Sequence, residues 1–154
     1  MELFFSISAL VVSVVSVGVS VVTYLFGLRR EKRQATLDAF SAFQKDVLDR
    51  LNYYRKTDID DIAEDHLSPD YKDISGLLAR CEHFAVGVNS HIYDRSTVRR
   101  LAGRYIIALY DKMEPLIAKK RCLNSTERHY KEFERLANKL KQDYRFRCRS
   151  PRKH

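Results

Sequence analysis

The stretch that decides the fold is residues 3–28, LFFSISALVVSVVSVGVSVVTYLFGL. Its 26 residues include no charged side chain. As a helix they would extend about 39 Å, against about 30 Å for the hydrocarbon core of a bilayer. A cleaved signal peptide has a basic start and a shorter apolar part, whereas this chain starts with Met1 and Glu2. The stretch therefore predicts one retained transmembrane anchor, residues 1–28.

Basic residues on the carboxyl side of this stretch set the expected orientation. They are Arg29, Arg30, Lys32 and Arg33, whereas the amino side offers only Glu2. The positive-inside rule then places the N-terminus outside and residues 29–154 in the cytoplasm, at the inner (cytoplasmic) membrane. The three cysteines form no closely spaced pair, which fits a reducing compartment.

Small residues form a stripe along the predicted anchor. They recur in alternating steps of three and four: Ser6, Ala9, Ser13, Ser16, Ser20, Thr23 and Gly27. Small side chains let membrane helices approach closely and bond through hydroxyls, so the spacing predicts a self-associating homo-oligomer. The alternative is a plain valine-rich anchor whose hydroxyls bond back to the preceding turn of their own helix.

Beyond the anchor, the chain has helical periodicity. Apolar residues recur three or four positions apart in four segments, and no alternating run is long enough for a strand. Ser68-Pro69 is a typical helix start, Asp94 or Ser96 can cap the next helix, and residues 124–126 are expected to cap the last helix. The predicted fold class is all-α: a single N-terminal transmembrane helix that continues into a cytoplasmic bundle of about four helices, residues 29–144.

An acidic segment interrupts this pattern. Seven acids lie between Asp58 and Asp73. The segment lacks the glycine and the alternating ligand order of a calcium loop. Residues 57–73 are therefore predicted to form a solvated connector and not a metal site.

The C-terminal segment, residues 145–154, is predicted to be a basic tail. Its basic residues include Arg145, Arg147, Arg149, Arg152 and Lys153. With the cluster that follows the anchor, they suit the anionic inner leaflet, which attracts each Lys or Arg by about 1 kcal/mol. Interleaved aromatic residues also suit nucleic acid, where rings stack on bases, and a merely solubilising tail is a third interpretation.

The chain resembles an uncharacterised, widespread family of small bacterial proteins at single residues spread over positions 74–140. They are Leu77, Leu78, Glu82, Ala85, Gly87, Val88, Asp94, Val98, Leu101, Tyr110, Pro115, Ile117, Arg121, Tyr130, Phe133 and Leu136. The resemblance covers about half the chain. It implies one N-terminal transmembrane helix, a helical cytoplasmic domain and a bacterial or prophage source, and it brings no settled activity.

No catalytic, cofactor-binding or metal site is predicted. Cys81 lies on an apolar stripe, and its neighbour His83 falls on a different face of the same helix. Glu82 and Arg121 are predicted to form a structural ion pair that clamps two helices together.

The sequence thus predicts a membrane-anchored, self-associating cytoplasmic interaction module without enzymatic activity. Its expected partners are the membrane, further copies of the chain and an unknown protein, with nucleic acid less favoured. The alternative is a membrane-disrupting effector of an anti-phage defence system, which acts by assembling its serine-lined transmembrane helices.

Overall fold

The computed structural model describes the backbone of residues 2–126 and 128–149 and the side chains of residues 13–55, 58–126 and 128–145. Within these residues the chain forms six α-helices and one π-helix turn, and no strand. The elements are α1 (Glu2–Phe43), a π-helix turn (Gln44–Leu48), α2 (Asp49–Tyr53), α3 (Lys56–Glu64), α4 (Pro69–Asn89), α5 (Arg95–Leu123) and α6 (Lys131–Arg149). The predicted all-α class is confirmed.

Helix α1 joins the predicted anchor to the bundle without a break, from Glu2 to Phe43. The side chains of residues 13–31 are exposed, and Thr36 is the first buried one among the described side chains. Within the part of the chain that the structure describes, no helix is both long and apolar enough to cross a membrane. Residues 3–12 of the predicted span lie outside the described side chains, and the anchor remains a prediction.

After Thr36, α1 runs in the same direction as α5. The backbone N–H of Asp94 donates to Thr36 Oγ1 over 2.8 Å at the start of α5. Two helical turns beyond α1, the carbonyl of Leu51 accepts a hydrogen bond from Lys112 Nζ over 3.0 Å. The two helices are therefore parallel neighbours.

Helix α6 runs antiparallel to α5. Arg95, at the start of α5, binds Asp143 near the end of α6 over 3.1 Å, and Arg121 binds Glu134 over 2.8 Å at the opposite end. The C-terminal part of α6 therefore lies at the end of the bundle where α5 begins.

Helix α4 completes the bundle between α1 and α6. The ring of Phe84 stacks on the ring of Phe43, with centroids 4.5 Å apart. The start of α4 is as predicted, because Ser68 Oγ accepts from the N–H of Tyr71 over 3.1 Å and Pro69 occupies the first turn.

One apolar core holds these helices together. Its largest fully buried side chains are Leu51, Ile59, Ile74, Leu77, Leu78, Ile106, Met113, Leu116, Ile117, Phe133, Leu136 and Leu140. Cys81 belongs to the same core at 1% exposure, as its place on the apolar stripe predicts.

The acidic segment is not wholly a connector, so the prediction for residues 57–73 is wrong over α3. This helix buries Ile59 and Ala63, one turn apart, in the common core. Its acids point away from the core, apart from the half-buried Asp58. Two apolar positions among many acids are a weak periodic signal in the sequence. They nevertheless suffice to pack α3 into the core, because α5 offers an apolar surface.

Helix α6 begins at Lys131, later than the predicted cap at residues 124–126. The chain before it turns through positive φ angles at Ser125 (48°) and Tyr130 (58°). At its other end α6 continues to Arg149, so the predicted boundary after residue 144 falls inside a helix.

Candidate functional site

A hydroxyl contact places the start of α5 beside the basic cluster of α1. Thr36 Oγ1 accepts from the N–H of Asp94 over 2.8 Å and donates to the carbonyl of Lys32 over 2.7 Å. Thr36 is fully buried, so both bonds lie away from competing water. This contact brings the α4–α5 loop next to Arg33.

Of the two predicted candidates, Asp94 and not Ser96 is the N-cap that fixes the first turn of α5. Its carboxylate accepts from the N–H groups of Ser96 (3.3 Å) and Thr97 (3.2 Å) and from Thr97 Oγ1 (2.6 Å). Burial on its own raises the pKa of Asp94, but these hydrogen bonds and the nearby Arg33 guanidinium outweigh it and hold the pKa below its usual range. The ionised form is therefore the one that the fold stabilises.

The C-terminal part of α6 reaches the same place. Arg95 and Arg99 of α5 both approach the carboxylate of Asp143, at 3.1 and 3.7 Å. Tyr144 Oη donates to the carbonyl of Arg99 over 2.9 Å, and the next side chain, Arg145, is exposed. The helical backbone that follows rises past this level by about 1.5 Å per residue.

We call this region the basic end. Among the described side chains it comprises nine cations and four acids. The cations are Arg29, Arg30, Lys32, Arg33, Arg95, Arg99, Arg100, Arg104 and Arg145, and the acids are Glu31, Asp38, Asp94 and Asp143. The fold thus brings the α1 cluster together with Arg145, the first residue of the predicted tail. Arg147, Arg149, Arg152 and Lys153 lie outside the described side chains.

The arginines of α5 are the part of this region that sequence analysis missed. Four of them fall within the ten residues from Arg95 to Arg104. That density within one predicted helix was the available signal. Their position beside α1 was not available, because it depends on the contact between Thr36 and Asp94.

The predicted stripe of small residues lies on the side of α1 that faces away from the bundle. Its described members, all exposed, are Ser13, Ser16, Ser20, Thr23 and Gly27, whereas Ser6 and Ala9 lie outside the described side chains. At 3.6 residues per turn, the five described positions point about 140–180° away from Thr36, which faces the bundle. The stripe and the bundle therefore occupy opposite sides of one helix.

Two hydroxyls of the stripe bond within α1. Ser20 Oγ donates to the carbonyl of Ser16 over 2.8 Å, and Thr23 Oγ1 donates to the carbonyl of Val19 over 2.9 Å. This is the pattern expected for the alternative of a plain anchor. Because these donors are already used, association along the stripe would depend mainly on close approach of backbones.

Large apolar side chains surround the stripe. We call residues 13–28 the apolar extension; ten of its large side chains are 45–66% exposed. They are Val14, Val15, Val17, Val19, Val21, Val22, Tyr24, Leu25, Phe26 and Leu28. They point over about 220° around the helix axis, and the stripe takes up the rest of the circumference. The described part of the chain covers none of these faces.

Glu82 and Arg121 do not form the predicted ion pair, although both hold the start of α6. The Glu82 carboxylate accepts from the backbone N–H groups of Glu132 (3.0 Å) and Phe133 (2.7 Å), while Arg121 binds Glu134. The first N–H groups of a helix have no partner within it, and the helix dipole favours an anion there. Glu82 therefore caps α6 from a different helix.

Cys81 is the residue to which the predicted absence of a nucleophilic site applies above all. Burial raises the pKa of this thiol to about 12, so it stays protonated at neutral pH. Its neighbour His83 is exposed. Over the described residues, no three His, Cys, Asp or Glu side chains are grouped so that they would hold a metal ion.

One family model matches residues 11–140, which include most of α1 and all of α2 to α5. The family is described as a domain of unknown function, DUF4760. No curated protein and no solved structure matches the chain. An uncharacterised family is what the resemblance implied, whereas the bacterial source and the transmembrane helix remain expectations. With a match over far more than half of its length, the chain belongs to the DUF4760 family.

Proposed function

We propose that the chain is a single-pass membrane protein that displays a self-associating helical interaction module in the cytoplasm. Residues 3–28 form the anchor, with the N-terminus outside. The observation that carries this proposal is the apolar extension, whose side chains are exposed on all sides of a helix that continues into a folded bundle.

The exposed apolar surface needs a cover. Full burial of a Val, Leu or Phe side chain stabilises by about 1.5–3 kcal/mol, so ten half-exposed side chains favour a cover by on the order of 10 kcal/mol. A protein partner covers one face of a helix, whereas lipid covers all faces. A helix with large apolar side chains over most of its circumference and no charged side chain on the rest is typical of a membrane span, which is why we propose lipid.

Charge supports the proposed orientation. The apolar extension ends at Leu28, and Arg29 and Arg30 follow it directly with exposed side chains. Lys and Arg next to a membrane span are enriched on the cytoplasmic side. We therefore place the bundle in the cytoplasm.

The position of the stripe supports self-association. Because the stripe faces away from the bundle, two or more copies can bring their stripes together while the bundles stay on the outside. Small residues such as Ser16 and Ser20 allow the close backbone approach that drives association in lipid. Such an oligomer would present several identical bundles to a cytoplasmic protein.

The first test is membrane integration of the full chain. We expect the chain to stay in the membrane pellet after an alkaline carbonate wash, which strips peripheral proteins. Release of the whole protein by that wash would contradict the anchor.

The second test is a matched pair of substitutions. Ser20→Leu enlarges the stripe and should lower the crosslinked oligomer fraction several-fold, whereas Val21→Leu, about 100° around the helix, should leave that fraction unchanged. Equal crosslinked fractions for the two variants would show that the stripe is not the surface along which the helices associate. Loss of membrane potential on expression, abolished by Ser13→Leu together with Ser20→Leu, would favour the membrane-disrupting effector instead.

A further inference from the structure

The loop between α4 and α5 carries an exposed apolar side chain at the basic end. Ile92 is 62% exposed, although the chain beside it is held firmly. The N–H of Tyr93 donates to the carbonyl of Gly87 over 3.0 Å, and the N–H of Asp94 donates to Thr36. The loop is therefore fixed in place with an aliphatic side chain on its outside.

The packing of Tyr93 makes this arrangement specific. Its ring lies 5.7 Å from the ring of Phe84 and directly over Gly87. A Cβ atom at Gly87 would come within 2.6 Å of Tyr93 Cδ2, which is closer than side chains pack. Glycine at position 87, which has no Cβ atom, therefore lets the ring of Tyr93 pack against α4 while Ile92 remains on the outside of the loop.

The start of the basic end lies just outside a lipid headgroup layer. Thr36 and the loop are eight residues beyond Leu28, about 12 Å along α1. A headgroup region is about 5–8 Å thick on each side of the hydrocarbon core, and the Debye length in physiological salt is about 8 Å. This level is therefore about 4–7 Å outside the headgroup layer, which is within one Debye length, so salt screens the attraction between Arg33 or Arg95 and lipid phosphates only partly. Arg104 lies about 15 Å further along α5.

Acidic side chains are also distributed unevenly along the bundle axis. The basic end is at the start of α5, whereas the acidic segment packs near Lys112, about 27 Å further along that helix. Asp58 is the acid that acts on Lys112 there. At the far end these acids stand beside cations such as Lys119 and Lys131, so an anionic surface would attract the near end of the bundle more strongly than the far end.

From these observations we infer that the basic end docks on an anionic phospholipid surface, with Ile92 as its apolar contact and the arginines of α5 and Arg145 as its charged contacts. The inference deepens the proposed function and rests on it, because the anchor brings the bilayer to this end of the bundle. Nucleic acid is the less fitting occupant, since an exposed isoleucine adds little on a phosphate backbone but suits the boundary of headgroups and acyl chains.

Tryptophan fluorescence gives a direct readout, because the chain contains no tryptophan. The full chain with Ile92→Trp is reconstituted into vesicles of phosphatidylcholine alone or with phosphatidylglycerol, each with a trace of lipid that carries a nitroxide quencher on its headgroup. We expect quenching of the indole to be several-fold stronger in the anionic vesicles. The difference should disappear at 1 M salt, where the Debye length is about 3 Å.

Charge variants then locate the surface. Arg100→Gln with Arg145→Gln removes two exposed charges from the basic end and should lower the quenching in anionic vesicles to the neutral-vesicle value. Lys119→Gln with Lys131→Gln removes the same charge from exposed positions at the opposite end and should leave the quenching unchanged. Equal loss in both variants would overturn the inference, because it would indicate a net-charge effect.

The outcomes separate the inference from the proposed function. A chain that alkaline carbonate extracts has no anchor, and the proposed function fails. A chain that stays integrated but is quenched equally in both kinds of vesicle keeps its anchor, and docking is overturned. Docking is also overturned if single-stranded RNA, and not anionic lipid, shifts the indole emission, since the basic end would then be a nucleic-acid surface.

Discussion

The bundle and the apolar extension are both helical and both rich in apolar side chains, yet their exposures are opposite. Leu78 and Leu136 in the bundle are 0% exposed, whereas Val14 and Phe26 in the extension are 65% and 64% exposed. The bundle finds apolar surface within its own chain, and the extension does not. The packing of the bundle is therefore complete by itself, while the extension depends on what surrounds it.

The largest test of this contrast compares a truncation in each region. Leu136→Ala should lower the free energy of unfolding by about 2–5 kcal/mol, because it leaves a cavity in the core. Val17→Ala should change it by less than about 0.5 kcal/mol, because Val17 has no bundle contact to lose. Urea unfolding of the full chain in one mild detergent, followed by circular dichroism, measures both. A large loss for Val17→Ala would mean that the extension packs on the bundle.

The next test asks whether bonds between distant segments stabilise the bundle. Glu82→Ala leaves the N–H groups of Glu132 and Phe133 without their acceptor, at about 1–3 kcal/mol for each unpaired group that is buried. Glu114→Ala removes an exposed carboxylate of the same type and should cost little. Equal unfolding midpoints for the two variants in the same assay would show that α6 does not need this cap.

A smaller effect distinguishes two glycines of α4. Gly87→Ala should destabilise by about 1–3 kcal/mol, because the added methyl group meets the ring of Tyr93. Gly76→Ala meets no atom within 4 Å and should stabilise by about 0.5–1 kcal/mol, as expected for alanine in a helix. Thermal unfolding of both variants checks the opposite signs, and a stabilising Gly87→Ala would contradict the close packing of the α4–α5 loop.

The smallest effect is the pH dependence of the cap on α5. At pH 7, Asp94→Ala should lower the free energy of unfolding by about 0.5–2 kcal/mol. The folded state holds the pKa of Asp94 below the unfolded value of about 3.9, so this contribution is complete above pH 4 and is lost as the pH falls through the folded pKa. The difference between the unfolding midpoints of wild type and variant should therefore shrink as the pH is lowered from 7 towards 2. A constant difference would mean that the carboxylate charge plays no part.

What the sequence predicts well are features whose signals are local. Ser68-Pro69 and Asp94 cap α4 and α5 from neighbouring positions, so the start of α4 was predicted correctly and that of α5 to within the two candidates Asp94 and Ser96. The start of α6 was not, because its cap, Glu82, lies 50 residues earlier in the chain. A carboxylate that bonds to a remote helix has no pattern in the sequence.

The candidate site likewise has parts that the sequence predicts and parts that it does not. The cluster Arg29–Arg33 and the tail could be recognised as runs of charge. The arginines of α5 join them through two contacts, Thr36 with Asp94 and Arg95 with Asp143, which link residues 58 and 48 positions apart. The sequence therefore predicted two separate basic segments where the fold forms one surface.

The unbroken course of α1 has a mechanical consequence. A straight helix transmits torque, so a rotation of its N-terminal half by one residue, about 100°, would turn Thr36 by the same angle. The hydroxyl would then leave the N–H of Asp94, and Arg33 would leave the carboxylate that caps α5. The wider π-helix turn at Gln44–Leu48 marks where α1 passes into the fixed core. Thr36 would thus couple a rotation of α1 to the bundle, and the α4–α5 loop would be the first part of the bundle to lose a contact.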